Sequence, residues 1–162
     1  MKVIEYFGCE NKEIWLSQME KCDWVAGRWL AELLRTDGLF DLVGEGSRVL
    51  MLTEGEELIS FCTLAKYDDV QPTDLTPWIG WIYTFPEYRG RRLAGVLLDK
   101  AEELAAEDGH NEVHISTNHD GLYEKYGYEF YKMEKDVDGA DTKVYIKRLR
   151  VRNDYNQSYA RG

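Results

Sequence analysis

A basic turn near the middle of the chain joins an apolar strand to an amphipathic helix. The run from Trp78 to Phe85 is rich in β-branched and aromatic residues, which predicts a buried strand that Pro86 closes. From Leu93 onward, apolar residues recur at spacings of three and four, which predicts a helix that ends at Gly109. Free N–H groups and the positive helix dipole end would meet at the turn between them. The turn is therefore a predicted anion site.

The charge balance sets this turn apart from the rest of the chain. The formal net charge is −10, and the cluster of Arg89, Arg91 and Arg92 is the densest basic spot in the acidic core sequence. Such a surface would repel nucleic acid, and it would attract a cationic small molecule or a lysine-bearing partner. Solubility alone would explain the charge equally well. The basic spot itself fits a phosphate-bearing cofactor.

Length and composition predict one globular domain over residues 1–162, with a polar, frayed tail from Arg150. No apolar run approaches the ~18 residues of a membrane span, and the N-terminal stretch lacks the apolar region of a signal peptide. Cys9, Cys22 and Cys62 are odd in number and form no C-x-x-C pair. They are predicted to be free thiols in a reducing cytoplasm.

The predicted order of elements is β, α, α, β, β, β, α, β, α, β, β. A helical pattern covers residues 12–35 with a break at residues 22–24, whereas residues 39–47 and 68–77 are predicted to be loops. A final hairpin is predicted over residues 128–149. Strands of an antiparallel meander precede one βαβ unit. The fold class is therefore predicted to be α+β, with a mixed, mostly antiparallel twisted sheet flanked by helices.

The turn and its surroundings resemble the acetyl-CoA signature of the GNAT superfamily of N-acetyltransferases. That signature has the form R/Q-x-x-G-x-G/A and usually follows a strand and a Pro-x-Tyr-Arg-Gly phrase, here Pro-Glu-Tyr-Arg-Gly. Arg89 matches its first position and Ala94 its last, whereas Arg92 replaces its middle glycine. The predicted element order also matches the GNAT fold from about residue 2 to 149. The resemblance implies that fold, with acetyl-CoA as cosubstrate.

The resemblance also implies which residues contact the cofactor. The turn would cradle the pyrophosphate through Arg89, Gly90, Arg91, Arg92, Leu93, Ala94 and Gly95. The backbone of the preceding strand, at Ile82, Tyr83 and Thr84, would pair with the pantetheine arm as a false strand. Asn118, near the end of the fifth strand, would bind the same arm.

A second phrase, Leu-Tyr-Glu-Lys-Tyr-Gly-Tyr at residues 122–128, resembles the Leu-Tyr-Glu-Lys-x-Gly-Phe of many family members. Tyr123 matches the family's tyrosine beside the thioester sulfur, so its phenol would protonate the departing CoA thiolate. Tyr126 is the reserve candidate for this role. A packing role for Tyr123 is the alternative from sequence alone.

The acceptor side is less defined by the sequence. Helices one and two form this side in the family, so Asp23 and Trp24 at their break are the predicted acceptor contacts. The general base stays open among five side chains: Asp23, Asp74, His114, His119 and Asp120. The three histidines lack a ligand-like grouping with cysteine or acid, and no metal site is predicted.

The resulting hypothesis is an acetyl-CoA-dependent N-acetyltransferase that works by direct attack of a neutral amine in a ternary complex. The acceptor would be a primary amine and would be cationic: a polyamine-like or aminoglycoside-like molecule, a peptide N-terminus or a lysine. The alternative is a catalytically silent CoA-binding sensor or structural protein of the same fold. Nucleic-acid and membrane partners are not expected, and a homodimer stays open.

Overall fold

The computed structural model describes residues 1–150 of the chain. Its helices and strands run in the order β1 (Lys2–Glu5), α1 (Glu13–Met19), α2 (Val25–Arg35), α3 (Leu39–Val43), β2 (Arg48–Glu54), β3 (Glu57–Ala65), β4 (Trp78–Thr84), α4 (Ala94–Glu107), β5 (Glu112–Thr117), β6 (Glu129–Lys135) and β7 (Asp141–Arg148). Short 3-10 turns occur at Tyr6–Gly8, Pro86–Tyr88 and Tyr123–Tyr126. The predicted tail from Arg150 lies, beyond that first residue, outside the described residues.

Within residues 1–150, seven strands form one sheet in the order β1-β2-β3-β4-β5-β7-β6. Every neighbouring pair is antiparallel except β4 and β5, which are parallel. The predicted mixed, mostly antiparallel sheet is therefore confirmed. In the same residues no helix is long and apolar enough to cross a membrane.

The sheet is covered on both faces because its central strands are apolar on both sides. Val49 and Met51 of β2 pack with buried residues of α1, α2 and α3. The alternate residues of the same strand, Leu50 and Leu52, pack with α4 on the opposite face. Successive strand residues point to opposite faces, so one β2 sequence serves two cores.

The first helical segment divides as predicted. Residues 20–24 separate α1 from α2, and the close approach of α2 to the chain at this break requires Gly27. A Cβ at Gly27 would lie 2.7 Å from Cys22 Sγ and 3.2 Å from the Phe61 ring. Phe61 belongs to β3, so the glycine also sets how closely α2 packs on the sheet.

The prediction of a loop over residues 39–47 was wrong in its first half. Residues Leu39–Val43 form α3, whose first and last side chains are buried under the α2 side of the sheet. A helix of five residues is too short to show a hydrophobic period, and tertiary packing decides its conformation. Gly44, with φ of 103°, ends it.

Candidate active site

The strands β4 and β5 separate almost as soon as they meet. One register pair joins them, Trp78 with His114, supported by a 3.1 Å hydrogen bond from the His114 amide to the Pro77 carbonyl. Beyond this pair, the β4 edge that faces β5 carries no ladder partner from β5. An unpaired strand edge inside a sheet can pair with an extended ligand.

A bulge in β4 accompanies this separation. Phe61 of β3 pairs with Tyr83, but Thr63 pairs with Gly80, so β4 carries one more residue than β3 between these pairs. Trp81, inside the bulge, has φ of 47°, a left-handed conformation that is rare for a bulky residue. The extra residue bends β4 at the point where it leaves β5.

A cavity of about 520 Å³ opens between the separating strands. It is lined by β4 from Ile79 to Ile82, by β5 and the residues after it from Ile115 to His119, and by Tyr123. Three tryptophans also line it: Trp24, Trp29 and Trp81. Of the residues predicted from sequence, the cavity thus brings together Ile82, Asn118, Tyr123 and Trp24. Tyr83, Thr84 and Asp23 are not among its lining residues.

The predicted anion turn has the geometry of a cradle. Gly90 has φ of 82°, and Arg92 has φ of 56° at the position of the motif glycine. Among residues 1–150, no group accepts a hydrogen bond from the backbone amides of residues 90–94; the next amide, of Gly95, donates to the Arg92 carbonyl at 3.1 Å. These amides precede or open the 14-residue helix α4. Unpaired amides at a helix N-terminus suit a phosphate group.

The side chain of Arg89, the first residue of the motif, contacts the end of β4 and the break between α1 and α2. Its Nε donates to the Thr84 carbonyl at 2.9 Å, and its Nη2 lies 3.3 Å from Asp23 Oδ1. The Tyr83 hydroxyl donates to the same Asp23 oxygen at 2.5 Å. This hydrogen bond and the Arg89 charge lower the pKa of Asp23 below its usual value. The predicted acceptor residue is thus ion-paired to the predicted cofactor residue.

Tyr123 and Tyr126 have different surroundings. Tyr123 is 6% exposed, and its burial raises the pKa of its phenol. Tyr126 packs against α4, where a Cβ at Gly95 would lie 2.7 Å from its ring. The Arg92 guanidinium stands 5.7 Å from the centre of the Tyr126 ring. Only Tyr123 of the two lines the cavity.

Three carboxylates that sequence reasoning missed also line the cavity: Asp68 and Asp69 at the start of the β3–β4 loop, and Asp136 after β6. Burial and the neighbouring Asp69 raise the pKa of Asp68 to about 8. Asp69 Oδ1 is buried and has no hydrogen-bond partner among residues 1–150. The available signal was Gly80, because a glycine within a strand often marks a close approach of another group.

The other candidate bases lie in less suitable places. His114 is fully buried, with Nδ1 2.9 Å from the Pro77 carbonyl and Nε2 3.2 Å from Glu112 Oε1, as in a satisfied core histidine. Asp120 forms an ion pair with Lys143, and Asp74 is exposed away from the cavity lining. His119 lines the cavity.

A sheet that opens between two parallel strands, with an anion turn leading into the following helix, is the framework of an acyl-CoA transferase. Residues 10–128 match the acetyltransferase (GNAT) family. The chain belongs to this family, as its motifs predicted, and acetyl-CoA is the family's cosubstrate. A comparison with curated proteins found no match.

Solved structures share the fold at low sequence identity. An aminoglycoside 6'-N-acetyltransferase complexed with coenzyme A is 13% identical with a TM-score of 0.69, covering 95% of this chain and 100% of that one. A GNAT family acetyltransferase from Elizabethkingia anophelis with acetyl-CoA bound is 15% identical with a TM-score of 0.63, covering 91% and 97%. The ribosomal-protein-S18-alanine N-acetyltransferase from Escherichia coli is 13% identical with a TM-score of 0.62, covering 94% and 96%. At these identities the likeness shows the fold.

Proposed function

We propose that this chain is a single-domain N-acetyltransferase that transfers the acetyl group of acetyl-CoA to a primary amine. The observation that carries the proposal is the opening between β4 and β5, where the cavity lined by Tyr123 lies, together with the unpaired amides of residues 90–94 that precede α4. A thioester whose phosphates lie at the turn would reach the cavity along the unpaired edge of β4. The three free cysteines support a reducing, cytoplasmic setting.

The residues present fit coenzyme A at each part of this path. The amides of residues 90–94 would hold the pyrophosphate, since they lack other acceptors among the described residues. The β4 edge around Ile82 would pair with the amides of the pantetheine arm, which Asn118, directly after β5, would also contact. When bound, acetyl-CoA supplies the activated acetyl group; the protein positions it and the amine.

Tyr123 is the proposed proton donor to the leaving thiolate. Its phenol is protonated at neutral pH, as an ordinary tyrosine is, and no group among residues 1–150 accepts its proton in a hydrogen bond. A donor that must act on a ligand is expected to have no competing protein partner. The same cavity receives the amine from the side of Trp24 and Trp29, so donor and acceptor would meet in one space.

The test is free-thiol release from acetyl-CoA with a panel of amines, together with CoA binding by calorimetry. The panel contains phenethylamine, spermidine, kanamycin, an alanine-terminated peptide and a lysine peptide. Amine-dependent release with a stoichiometric acetylated product supports the transferase. Tight CoA binding without release from any amine would contradict it and support the CoA-binding sensor.

A further inference from the structure

The first residues of the β3–β4 loop are held in place from two sides. The Tyr67 amide donates to the Val43 carbonyl at 3.0 Å, which fixes the loop to the end of α3. The Val137 amide, between β6 and β7, donates to the Asp69 carbonyl at 2.7 Å. Asp68 and Asp69 therefore face the cavity from a backbone that is fixed at both sides.

The carboxyl group of Asp68 lies against the β4 backbone at Gly80. A Cβ at Gly80 would collide with Asp68 Oδ1 and would lie 3.2 Å from Thr63 Oγ1. Gly80 does not have the positive φ that favours glycine elsewhere in the chain. The glycine is thus required for space rather than for backbone conformation, and the space is filled by a carboxylate.

The cavity carries negative charge, and none of its described lining residues is a lysine or an arginine. Asp69 Oδ1 is buried without a hydrogen-bond partner among the described residues, an arrangement that native proteins rarely leave without a reason. The lining described for residues 1–150 includes Asp68, Asp69 and Asp136. Asp136 already accepts 2.9 Å hydrogen bonds from the amides of Asp138 and Ala140. The unpaired acceptor is therefore at Asp69.

The other lining residues of the cavity include indole rings and aliphatic side chains. Trp29 and Trp81 line the cavity with their ring centres 5.6 Å apart. The Trp81 indole N–H already donates to the Ala26 carbonyl at 2.6 Å, so it is not available to a hydroxyl. Leu42 and Val137 complete this part of the lining. Indole faces attract an organic cation and its apolar body, whereas an amino sugar would require partners for its hydroxyls.

We propose that Asp68 and Asp69 form the amine subsite: Asp69 binds a primary ammonium borne on an aromatic or aliphatic body, and Asp68 removes its proton. This inference rests on the proposed transferase function. The ammonium passes one proton to the Asp68 carboxylate and becomes a neutral amine. Its lone pair then forms the C–N bond to the acetyl carbon as the C–S bond breaks. The nitrogen loses its second proton to solvent, Tyr123 protonates the thiolate and takes a proton back from solvent, and Asp68 returns its proton to solvent.

The environment of Asp68 suits proton transfer near neutral pH. Burial and the Asp69 charge raise the pKa of Asp68 to about 8, so its carboxylate is a stronger base than an ordinary aspartate. An alkylammonium has a pKa of about 10, and a base of intermediate pKa can accept its proton within the site. Arrival of the ammonium beside Asp69 also favours ionisation of Asp68.

The first test measures binding and needs no turnover. Tryptophan fluorescence of the full chain with CoA is titrated with phenethylamine and with its neutral analogue 2-phenylethanol. The wild type is expected to prefer the ammonium, and Asp69→Asn to lose about 10- to 100-fold in affinity for it. Asp74→Asn, in the same loop but outside the cavity lining, is the control and should bind as wild type. Equal binding of the amine and the alcohol, or tighter binding of kanamycin than of phenethylamine, would overturn the subsite.

The second test measures how kcat/KM depends on pH. For an amine that releases thiol, kcat/KM of the wild type should rise to a plateau near pH 8, whereas that of Asp68→Asn should keep rising to about pH 10, the pKa of the amine itself. Gly80→Ala, which displaces the same carboxylate without removing it, should shift the profile in the same direction. Identical wild-type and Asp68→Asn profiles would overturn the role of Asp68.

Carbon NMR titration of the Asp68 carboxyl tests the same role when no amine turns over. A midpoint near pH 8 that falls on addition of phenethylamine is expected. An ordinary aspartate midpoint would refute it. Ammonium binding that depends on Asp69, without thiol release from any amine, would contradict the proposed transferase function and leave the ammonium subsite standing.

Discussion

Arg92 replaces the glycine of the acetyl-CoA motif, and its φ of 56° shows why glycine is favoured there. An L-residue in the left-handed region costs roughly 1–2 kcal/mol. The side chain recovers part of this cost, because its guanidinium stands 5.7 Å from the Tyr126 ring centre. Such an exposed cation–π contact contributes about 0.5–1 kcal/mol. Two substitutions, Arg92→Ala and Arg92→Gly, separate these contributions.

Both variants lose the contact with Tyr126, but they differ in the backbone. Arg92→Ala keeps the left-handed cost, so we expect it to lower the free energy of unfolding by about 0.5–1 kcal/mol. Arg92→Gly recovers roughly 1–2 kcal/mol of backbone cost and gives up about 0.4–1 kcal/mol through the greater freedom of the unfolded chain. The glycine variant should therefore be about 0.5–1 kcal/mol more stable than the alanine variant, or about 1–4 °C in Tm.

Thermal denaturation of both variants measures this difference, and CoA titration calorimetry measures its consequence for binding. Arg92→Gly should bind CoA as well as the wild type or better, because the cradle loses a Cβ and a strained backbone. Arg91→Ala and Arg91→Gly are the matched controls, since Arg91 has no positive φ and should show the ordinary order with alanine above glycine. If the alanine variant is the more stable at position 92, the strain argument fails. A large loss of CoA affinity in Arg92→Gly would instead mean that the side chain is itself a phosphate ligand.

Three further outcomes are expected. Tyr123→Phe should lower kcat by about 10–100-fold with little change in CoA affinity or Tm, and Tyr126→Phe should do much less; equal effects, or an effect of Tyr123→Phe through stability alone, would make Tyr123 a packing residue. Arg89→Ala should weaken CoA binding by about 1–3 kcal/mol in calorimetry, whereas Asp23→Ala, which releases Arg89 from its ion pair, should not weaken it. Similar losses of CoA affinity in both variants would show that Arg89 acts through its ion pair with Asp23 and not by contacting CoA. Because the folded-state pKa of Asp68 is raised from 3.8 to about 8, the protein loses stability as pH rises between these values. The Tm of Asp68→Asn relative to wild type should therefore increase from pH 5 to pH 8.5, and a constant difference would refute the raised pKa.

Most of the element order could be predicted because it depends on local periodicity, but the helix predicted over residues 120–126, between the fifth and sixth strands, is only a 3-10 turn at Tyr123–Tyr126. The helix that became α4 repeats its apolar residues over 14 residues, and β4 is a continuous apolar run. The same reasoning failed at α3, whose five residues are helical because Leu39 and Val43 are buried by other elements. It also gave no indication of the bulge at Trp81, since a bulge depends on the register with β3.

The candidate site likewise has parts that could be predicted from the sequence and parts that could not. The anion turn and Tyr123 lie in short contiguous phrases, so their positions could be predicted from sequence. The partner of Arg89 is Asp23, 66 residues earlier in the chain, and no local pattern joins them. Asp68 lies in the predicted loop, but its place in the cavity could not be predicted, because its contact depends on the missing side chain of Gly80 in β4. Where two groups approach closely because a side chain is missing, the glycine is the only feature of the sequence that indicates the contact.

The bulge in β4 affects both the proposed cofactor side and the proposed amine side of the cavity. Gly80, at its start, has no side chain and so admits Asp68, while Trp81 inside it carries an indole that lines the amine side. The extra residue also lies where β4 leaves β5, and the edge at Ile82, which the proposal assigns to the pantetheine arm, has no β5 partner. A regular strand would shift its register by one residue there and exchange the faces of these side chains. We therefore expect the unpaired edge and the carboxylate pocket to depend on the same backbone irregularity.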